Sequence, residues 1–159
     1  MKLLEIIPNV LTNEECEILI KDSDFLNTKN NQPSYGDMNG IERRTSTSHY
    51  TSKKICSVYN FEISSVAILW YKPGVYNSLH ADSFRIIDNI VTRTANWHRT
   101  AIIFLNDNFT GGELVYPNQG VSIKPVKGTM VVTSCDIDFM HYTNAASFDR
   151  YTLVFRINN

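Results

Sequence analysis

The run Ile63-Ser64-Ser65-Val66-Ala67-Ile68-Leu69-Trp70-Tyr71, then Lys72-Pro73-Gly74-Val75, then Tyr76-Asn77-Ser78-Leu79-His80-Ala81-Asp82, decides the fold. The first run is β-rich, the Pro-Gly pair marks a turn, and the second run resumes an extended pattern. The alternation continues through Thr100 to Leu105, Glu113 to Tyr116, Val121 to Lys124, Thr129 to Thr133 and Tyr151 to Ile157. Asn106-Asp107-Asn108, Gly111-Gly112, Pro117-Asn118-Gln119-Gly120 and Lys127-Gly128 occupy the joins. Many short strands punctuated in this way predict a mainly β domain, a sandwich or jelly roll.

Upstream, Thr12 reads as a helix N-cap, with Glu15 three residues later completing a capping box. Leu11, Cys16, Ile18, Leu19 and Ile20 give that helix an apolar side, and it is expected to end near Lys21 or Asp22. Residues 27–48 are polar and read as a long exposed loop of the kind that serves as a lid. The 159 residues suit one domain, with an N-terminal helical and loop part over 1–60 and a β core over 61–159.

Charge and composition narrow the function. The formal net charge is -1, so no overall basic field draws in nucleic acid. No apolar stretch approaches the roughly 20 residues needed to span a membrane, so no membrane partner is expected. The N-terminus, Met1 to Pro8, is too short and too soon charged for a signal peptide. Three widely spaced cysteines suit a reducing compartment and form no disulfide framework, so a cytoplasmic location is expected.

His80-Ala81-Asp82 is the first feature with chemical content. On a strand, residues two apart point to one face, so an imidazole and a carboxylate converge. A second imidazole would complete the 2-His-1-carboxylate arrangement of non-haem Fe(II) oxygenases, which leaves positions open on the metal. Three histidines could supply it. His141, close before the last β-run, is the reading adopted. His49 lies in a Ser/Thr-rich stretch and reads as an exposed loop residue, and His98, beside Arg99, reads as a loop or substrate contact.

Arg150 opens the last run. On a strand, Arg150, Thr152, Val154 and Arg156 share one face, and Tyr151, Leu153 and Phe155 the other. A guanidinium aimed into a β core is costly unless a carboxylate meets it. Its planar fork suits the far end of a dicarboxylate, with Thr152 adding a hydroxyl. The alternative is an exposed Arg on an edge strand.

Together these residues resemble the prolyl 4-hydroxylase-like branch of the 2-oxoglutarate/Fe(II) dioxygenases. Tyr71 to Asp82 is similar to that family's Tyr-x-Pro-Gly…His-x-Asp segment, and Arg99 to Asn106 to its next strand. Gly111-Gly112-Glu113-Leu114 is similar to its Gly-Gly-Glu-Thr turn, and Pro125-Val126-Lys127-Gly128 to its Pro-x-x-Gly turn. His141 and Arg150 fall where the family has its distal His and its basic co-substrate anchor. Pro8 to Ile20 is similar to its N-terminal helix, and Arg44-Thr45-Ser46 to its Arg-Thr-Ser segment. Leu114 in place of the usual Thr, the missing Pro-Val between His141 and Arg150, and Arg rather than Lys as the anchor all depart from the pattern.

The resemblance implies a double-stranded β-helix, a jelly roll of about eight core strands in two sheets. It implies Fe(II) on His80, Asp82 and His141, with 2-oxoglutarate as co-substrate and ascorbate as reductant. The 5-carboxylate of the co-substrate would meet Arg150 and Thr152. Tyr71 would hydrogen-bond the co-substrate, or else is a buried strand tyrosine with a satisfied hydroxyl. The reaction implied is O2-dependent hydroxylation of an unactivated C–H, with release of succinate and CO2; peptidyl proline is the substrate the resemblance implies, with another peptide side chain, a free amino acid or a small metabolite as alternatives. Ser83 to His98, carrying Phe84, Arg85, Arg93, Trp97 and His98, would form a flap over the iron, joined by residues 27–42. Trp97, His98 and Arg99 are the candidate substrate contacts. Two rivals stand beside this reading. Arg150-x5-Arg156 is similar to the closing motif of AlkB-type nucleic-acid dealkylases, whose substrate is a flipped alkylated base. A non-enzymatic jelly-roll binding module would leave His80 and Asp82 incidental.

Overall fold

A computed structural model describes residues 3–25, 41–45 and 50–159. In chain order the elements are β1 (Leu4–Ile7), α1 (Asn13–Phe25), β2 (Ile41–Thr45), α2 (Tyr50–Tyr59), β3 (Ile63–Tyr71), β4 (Asn77–His80) and β5 (Phe84–Ile87). They continue as β6 (Ile90–Arg93), β7 (Arg99–Phe104), β8 (Leu114–Tyr116), β9 (Val121–Ile123), β10 (Met130–Ser134), β11 (His141–Thr143) and β12 (Arg150–Ile157). Six strands form the larger sheet in the order β1-β10-β7-β12-β3-β2, and four form the smaller in the order β4-β11-β8-β9. All of these pairings are antiparallel. This is the expected double-stranded β-helix.

Strand β12 shows how sequence alternation builds the layers. Leu153, Phe155 and Ile157 are fully buried and join Ala101, Ile103, Met130 and Val132 in a cluster with Leu11, Cys16 and Leu19 around α1 and with Ile55 of α2. The two helices therefore cover one face of the six-stranded sheet. The opposite face, carrying Ile102, Phe104, Thr152 and Val154, meets the smaller sheet, where Phe104 and Val131 pack with Leu114, Tyr116 and Ile123. Each fully buried aliphatic side chain contributes about 1.5–3 kcal/mol relative to exposure, so the helix-side cluster is the main source of stability.

The helix start is the capping box read from the sequence. The Glu15 backbone N–H donates to Thr12 Oγ1 at 3.1 Å, and the Thr12 N–H donates to Glu15 Oε2 at 3.0 Å. The helix runs on to Phe25, beyond the expected end at Lys21 or Asp22. Cys16 and Leu19 face the sheet, whereas Ile18, expected on the apolar side, is 50% exposed.

One further expectation is corrected, and two elements are added to it. Residues 41–45, read as part of a loop over 27–48, form edge strand β2 paired with β3 from Ile41↔Tyr71 to Thr45↔Ala67. The polar composition hid it, since an edge strand need not be apolar on both faces. Residues 27–40 and 46–48 of that loop reading, and so most of the expected 27–42 lid, lie outside the described residues, as does His49. Helix α2 was not anticipated, because Tyr50-Thr51-Ser52 and Ile55 are weak helix formers, and tertiary burial of Thr51, Ser52 and Ile55 holds it instead. The stretch after Asp82, expected as a flap, contains a β-hairpin, β5–β6. Its roots are tied: Ser83 Oγ donates to the Trp97 carbonyl at 2.8 Å, and the Thr94 N–H donates to the Ser83 carbonyl at 2.8 Å. Ile86, Ile87, Ile90 and Val91 remain exposed on it. No described helix is long and apolar enough to cross a membrane.

Candidate active site

His80 is the last residue of β4 and His141 the first of β11, and the two strands pair so that these residues stand directly opposite. Their rings lie 4.5 Å apart, centroid to centroid. A pairing formed across a long stretch of chain thus brings the two imidazoles together. Asp82 does not share a strand with His80, as alternation had suggested. Strand β4 ends at His80, and Asp82 sits in the bend that follows, which still turns its carboxylate toward the same point. Ligand atoms from His80, Asp82 and His141 all lie within 4.8 Å of one another, the group of this kind found among the described residues.

The hydrogen bonds around these side chains set what they offer. Nδ1 of His80 donates to the Ser78 carbonyl at 2.7 Å, and Nδ1 of His141 to the Phe139 carbonyl at 3.1 Å. A carbonyl only accepts, so each Nδ1 carries the proton and each Nε2 is left with a lone pair. Those Nε2 atoms face the carboxylate, His80 at 3.7 Å from Asp82 Oδ1 and His141 at 3.9 Å from Asp82 Oδ2. Burial, then the proximity of His141, pushes the His80 imidazole down to about 4. It is therefore neutral at physiological pH, the form a metal requires. Burial alone would raise the Asp82 carboxyl, but Arg156, His141 and His80 outweigh it and hold Asp82 ionised, well below the usual carboxylate range.

Asp82 Oδ2 is buried and has no hydrogen-bond partner. An ionised oxygen left bare inside a protein is costly, so two imidazole lone pairs and one orphaned carboxylate oxygen fit a divalent cation. Iron there would supply dioxygen activation, with positions left open on it.

Arg150 is 1% exposed, so it is not an edge-strand surface residue. Its Nη1 donates to the Gly112 carbonyl at 2.9 Å and its Nη2 to Thr143 Oγ1 at 3.2 Å, and its Cζ stands 3.7 Å from the centroid of the Tyr71 ring. Tyr71 is its cross-strand partner on β3. No carboxylate among the described residues pairs with Arg150, and its Nε has no partner. Burial lowers its affinity for the proton, but a guanidinium remains charged. Thr152, next on the same face, is also buried with an unpartnered hydroxyl. A dicarboxylate co-substrate would satisfy all three groups.

One pocket of about 420 Å³, open water at its mouth included, is lined by His80, Asp82 and His141 together with Tyr71, Arg150 and Thr152. Leu69, Ile102, Phe104, Leu114 and Val154 supply apolar walls.

The candidate substrate contacts fare differently. Arg99 lies outside the pocket, on the helix-side face of β7, with Nε donating to the Asn159 carbonyl and its guanidinium over Phe61. His98 is exposed and borders an outer cleft with Arg93 and Arg99. Trp97 packs against Arg156, whose Cζ lies 5.1 Å from its ring centroid. Two pocket residues were missed as site residues. Thr143 holds Arg150, and Arg156 pairs with Asp82 Oδ1 at 3.1 Å. Alternation along β12 already placed Arg156 on the face of Arg150, but nothing in the sequence showed its partner.

Comparisons with known proteins agree with this geometry. A search of curated proteins finds no significant match. Among solved structures, the chain is similar to the viral collagen prolyl hydroxylase of Paramecium bursaria Chlorella virus-1 in its 2OG complex, at 20% identity and a TM-score of 0.76, covering 97% of this chain and 94% of that one. It is similar to a Pseudomonas putida prolyl-4-hydroxylase at 17% identity and a TM-score of 0.75, covering 100% and 95%. It is also similar to a Trichoplax adhaerens prolyl hydroxylase in complex with a hypoxia-inducible-factor oxygen degradation domain peptide, at 18% identity and a TM-score of 0.72, covering 98% and 83%. At these identities the likeness establishes the fold. The family model of the 2OG-Fe(II) oxygenase superfamily matches residues 66–157, a span that contains every pocket residue named above, and the chain belongs to that superfamily as an Fe(II)- and 2-oxoglutarate-dependent dioxygenase.

Proposed function

We propose that the enzyme hydroxylates peptide-bound proline, with His80, Asp82 and His141 holding the iron and Arg150 and Thr152 the 5-carboxylate of 2-oxoglutarate. The observation that carries the site assignment is the buried Arg150, without a carboxylate partner among the described residues, facing the same pocket as the three ligand atoms. The prolyl hydroxylases among the similar structures, one of them holding a peptide, support the substrate class.

The residues divide the work. Arg150 and Thr152 bind one end of the co-substrate and so set its orientation along the pocket. The Tyr71 ring, packed on the Arg150 guanidinium, fixes the planar fork. Ile102, Phe104, Leu114 and Val154 keep bulk water away from the reaction. The hairpin β5–β6, which follows Asp82 directly, serves as the flap over the peptide. Ascorbate acts as the external reductant. Two of the three free cysteines are buried, which suits a cytoplasmic setting.

The test is succinate release with Fe(II), ascorbate and O2 against proline-containing peptide pools, free amino acids and methylated oligonucleotides, followed by mass spectrometry. Turnover and a one-oxygen mass gain on prolyl peptides are expected. Stimulation by methylated oligonucleotide alone would assign the enzyme to the nucleic-acid dealkylases instead.

A further inference from the structure

Arg150 and Arg156 lie on one face of β12 and line the same pocket, yet they are in opposite situations. Arg150 has no carboxylate partner among the described residues, whereas Arg156 is paired with Asp82. We infer that Arg156 is a positioning residue for the metal centre: it pins Asp82 through Oδ1, so that Oδ2 alone is presented to the ion. This rests on the reading of His80, Asp82 and His141 as ligands.

The guanidinium is held on its face and its edge. Trp97 packs against the face, with Cζ 5.1 Å from the ring centroid. Nη1 donates to Thr100 Oγ1 at 3.2 Å, and Nη2 lies 3.1 Å from Asp82 Oδ1. Thr100 is fully buried and is itself in contact with Cys135 Sγ at 3.1 Å, so the anchor does not swing. A planar cation fixed in this way leaves the carboxylate little freedom to rotate. The 3% exposure of the Asp82 side chain removes water as a competing partner.

The consequence lies in the number of ligand atoms. A freely rotating carboxylate can give both oxygens to a divalent ion. With Oδ1 engaged by Arg156, Asp82 gives one, and the unpartnered atom is indeed Oδ2. Three protein atoms then bind the metal, and the remaining positions stay open for a chelating co-substrate and dioxygen. Trp97 thereby acts on the ligand set through Arg156 rather than on the substrate.

The experiment uses the metal-free full chain, titrated with Mn(II) by electron paramagnetic resonance of the free ion and with Co(II) by its visible absorption. Arg156→Gln is expected to bind Mn(II) roughly 10–100-fold more weakly, the usual cost of losing a group that orients a ligand. Its Co(II) spectrum should change as the carboxylate becomes free to bind through both oxygens. Arg156→Lys should recover part of the affinity without the wild-type spectrum, because an ammonium lacks the fork. Thr100→Val should give a smaller loss in the same direction. Wild-type Mn(II) affinity and an unchanged Co(II) spectrum in Arg156→Gln overturn the inference. If that variant does not fold, Arg156→Lys and Thr100→Val decide it by the same criterion. His141→Ala separates the two readings. If it also binds like wild type, the ligand assignment itself fails. If it loses the metal while the other variants keep it unchanged, only the role of Arg156 fails.

Discussion

Gly112 and Arg150 are in contact through the absence of a side chain: a Cβ on Gly112 would sit 3.4 Å from Arg150 Cδ and 2.8 Å from the Phe109 ring. The same residue has φ +75° and accepts the Arg150 Nη1 hydrogen bond. Gly112→Ala therefore has two costs, strain at a positive φ and a clash with the Phe109 ring, and a backbone shift that relieves them moves the carbonyl that holds Arg150. It should lower stability by about 1–3 kcal/mol and raise the KM for 2-oxoglutarate more than tenfold. Chemical denaturation and co-substrate titration measure the two effects separately.

Arg150→Met tests whether the buried cation serves the fold or the ligand. A buried charge with no carboxylate contributes little to stability, and an apolar side chain of similar length often replaces it without loss. The variant should keep or gain thermal stability, while 2-oxoglutarate binding weakens by at least about 100-fold, as expected for loss of a charge-assisted double hydrogen bond worth roughly 3 kcal/mol. A large fall in melting temperature with co-substrate binding intact would refute the anchor role.

The metal-free protein should lose stability as the solution is acidified. The folded His80 imidazole sits at about 4, below the roughly 6.5 of an unfolded chain, so between these values the unfolded state binds the extra proton. Stability is complete above about pH 6.5 and declines as pH falls toward 4, by on the order of 3 kcal/mol at most. Asp82, held below the usual carboxylate range, adds a further decline at still lower pH. Thermal melts in EDTA across this range should show the slope, and His80→Asn should flatten it. With Mn(II) bound the loss should be steeper, because protons then displace the ion as well.

The capping box offers a control far from the pocket. Thr12→Ala should cost about 1 kcal/mol and leave the KM for 2-oxoglutarate unchanged. Glu15 is lowered by its bond to Lys54 and by the Thr12 backbone. Its contribution is present at neutral pH and disappears as acid protonates the carboxylate. Glu15→Gln should remove that part of the acid sensitivity, read by the same melts.

The sequence was most legible where pattern is local. Strand β3 has the expected bounds Ile63–Tyr71, because a long buried run ends in a Pro-Gly turn. β12 reads equally well, since its alternation assigns each residue to the helix side or the pocket side. β11 is three residues long, and its pairing with β4 spans about sixty positions of chain, so the juxtaposition of His80 and His141 had no local signature. β1 and α2 were missed for a related reason. β1 is short and half-exposed, and α2 is held by what it packs on more than by its own residues. Arg99 stands apart from the pocket because strand alternation puts its side chain on the helix side of β7, with Ala101 and Ile103. The partner of Arg156 was invisible because Asp82 reaches it from a bend rather than from a neighbouring strand position.

Strand β12 lies in the middle of the larger sheet, between β7 and β3, although it comes last among the elements. Without it, the segments preceding Arg150 form two ribbons, β1-β10-β7 and β3-β2, with nothing to join them. During synthesis, the chain through Ile157 must therefore leave the ribosome before the barrel can zip shut. A premature stop codon even a dozen positions upstream of Ile157 would remove both guanidiniums and the keystone of the sheet at once, leaving sticky apolar ribbons rather than a weakened enzyme.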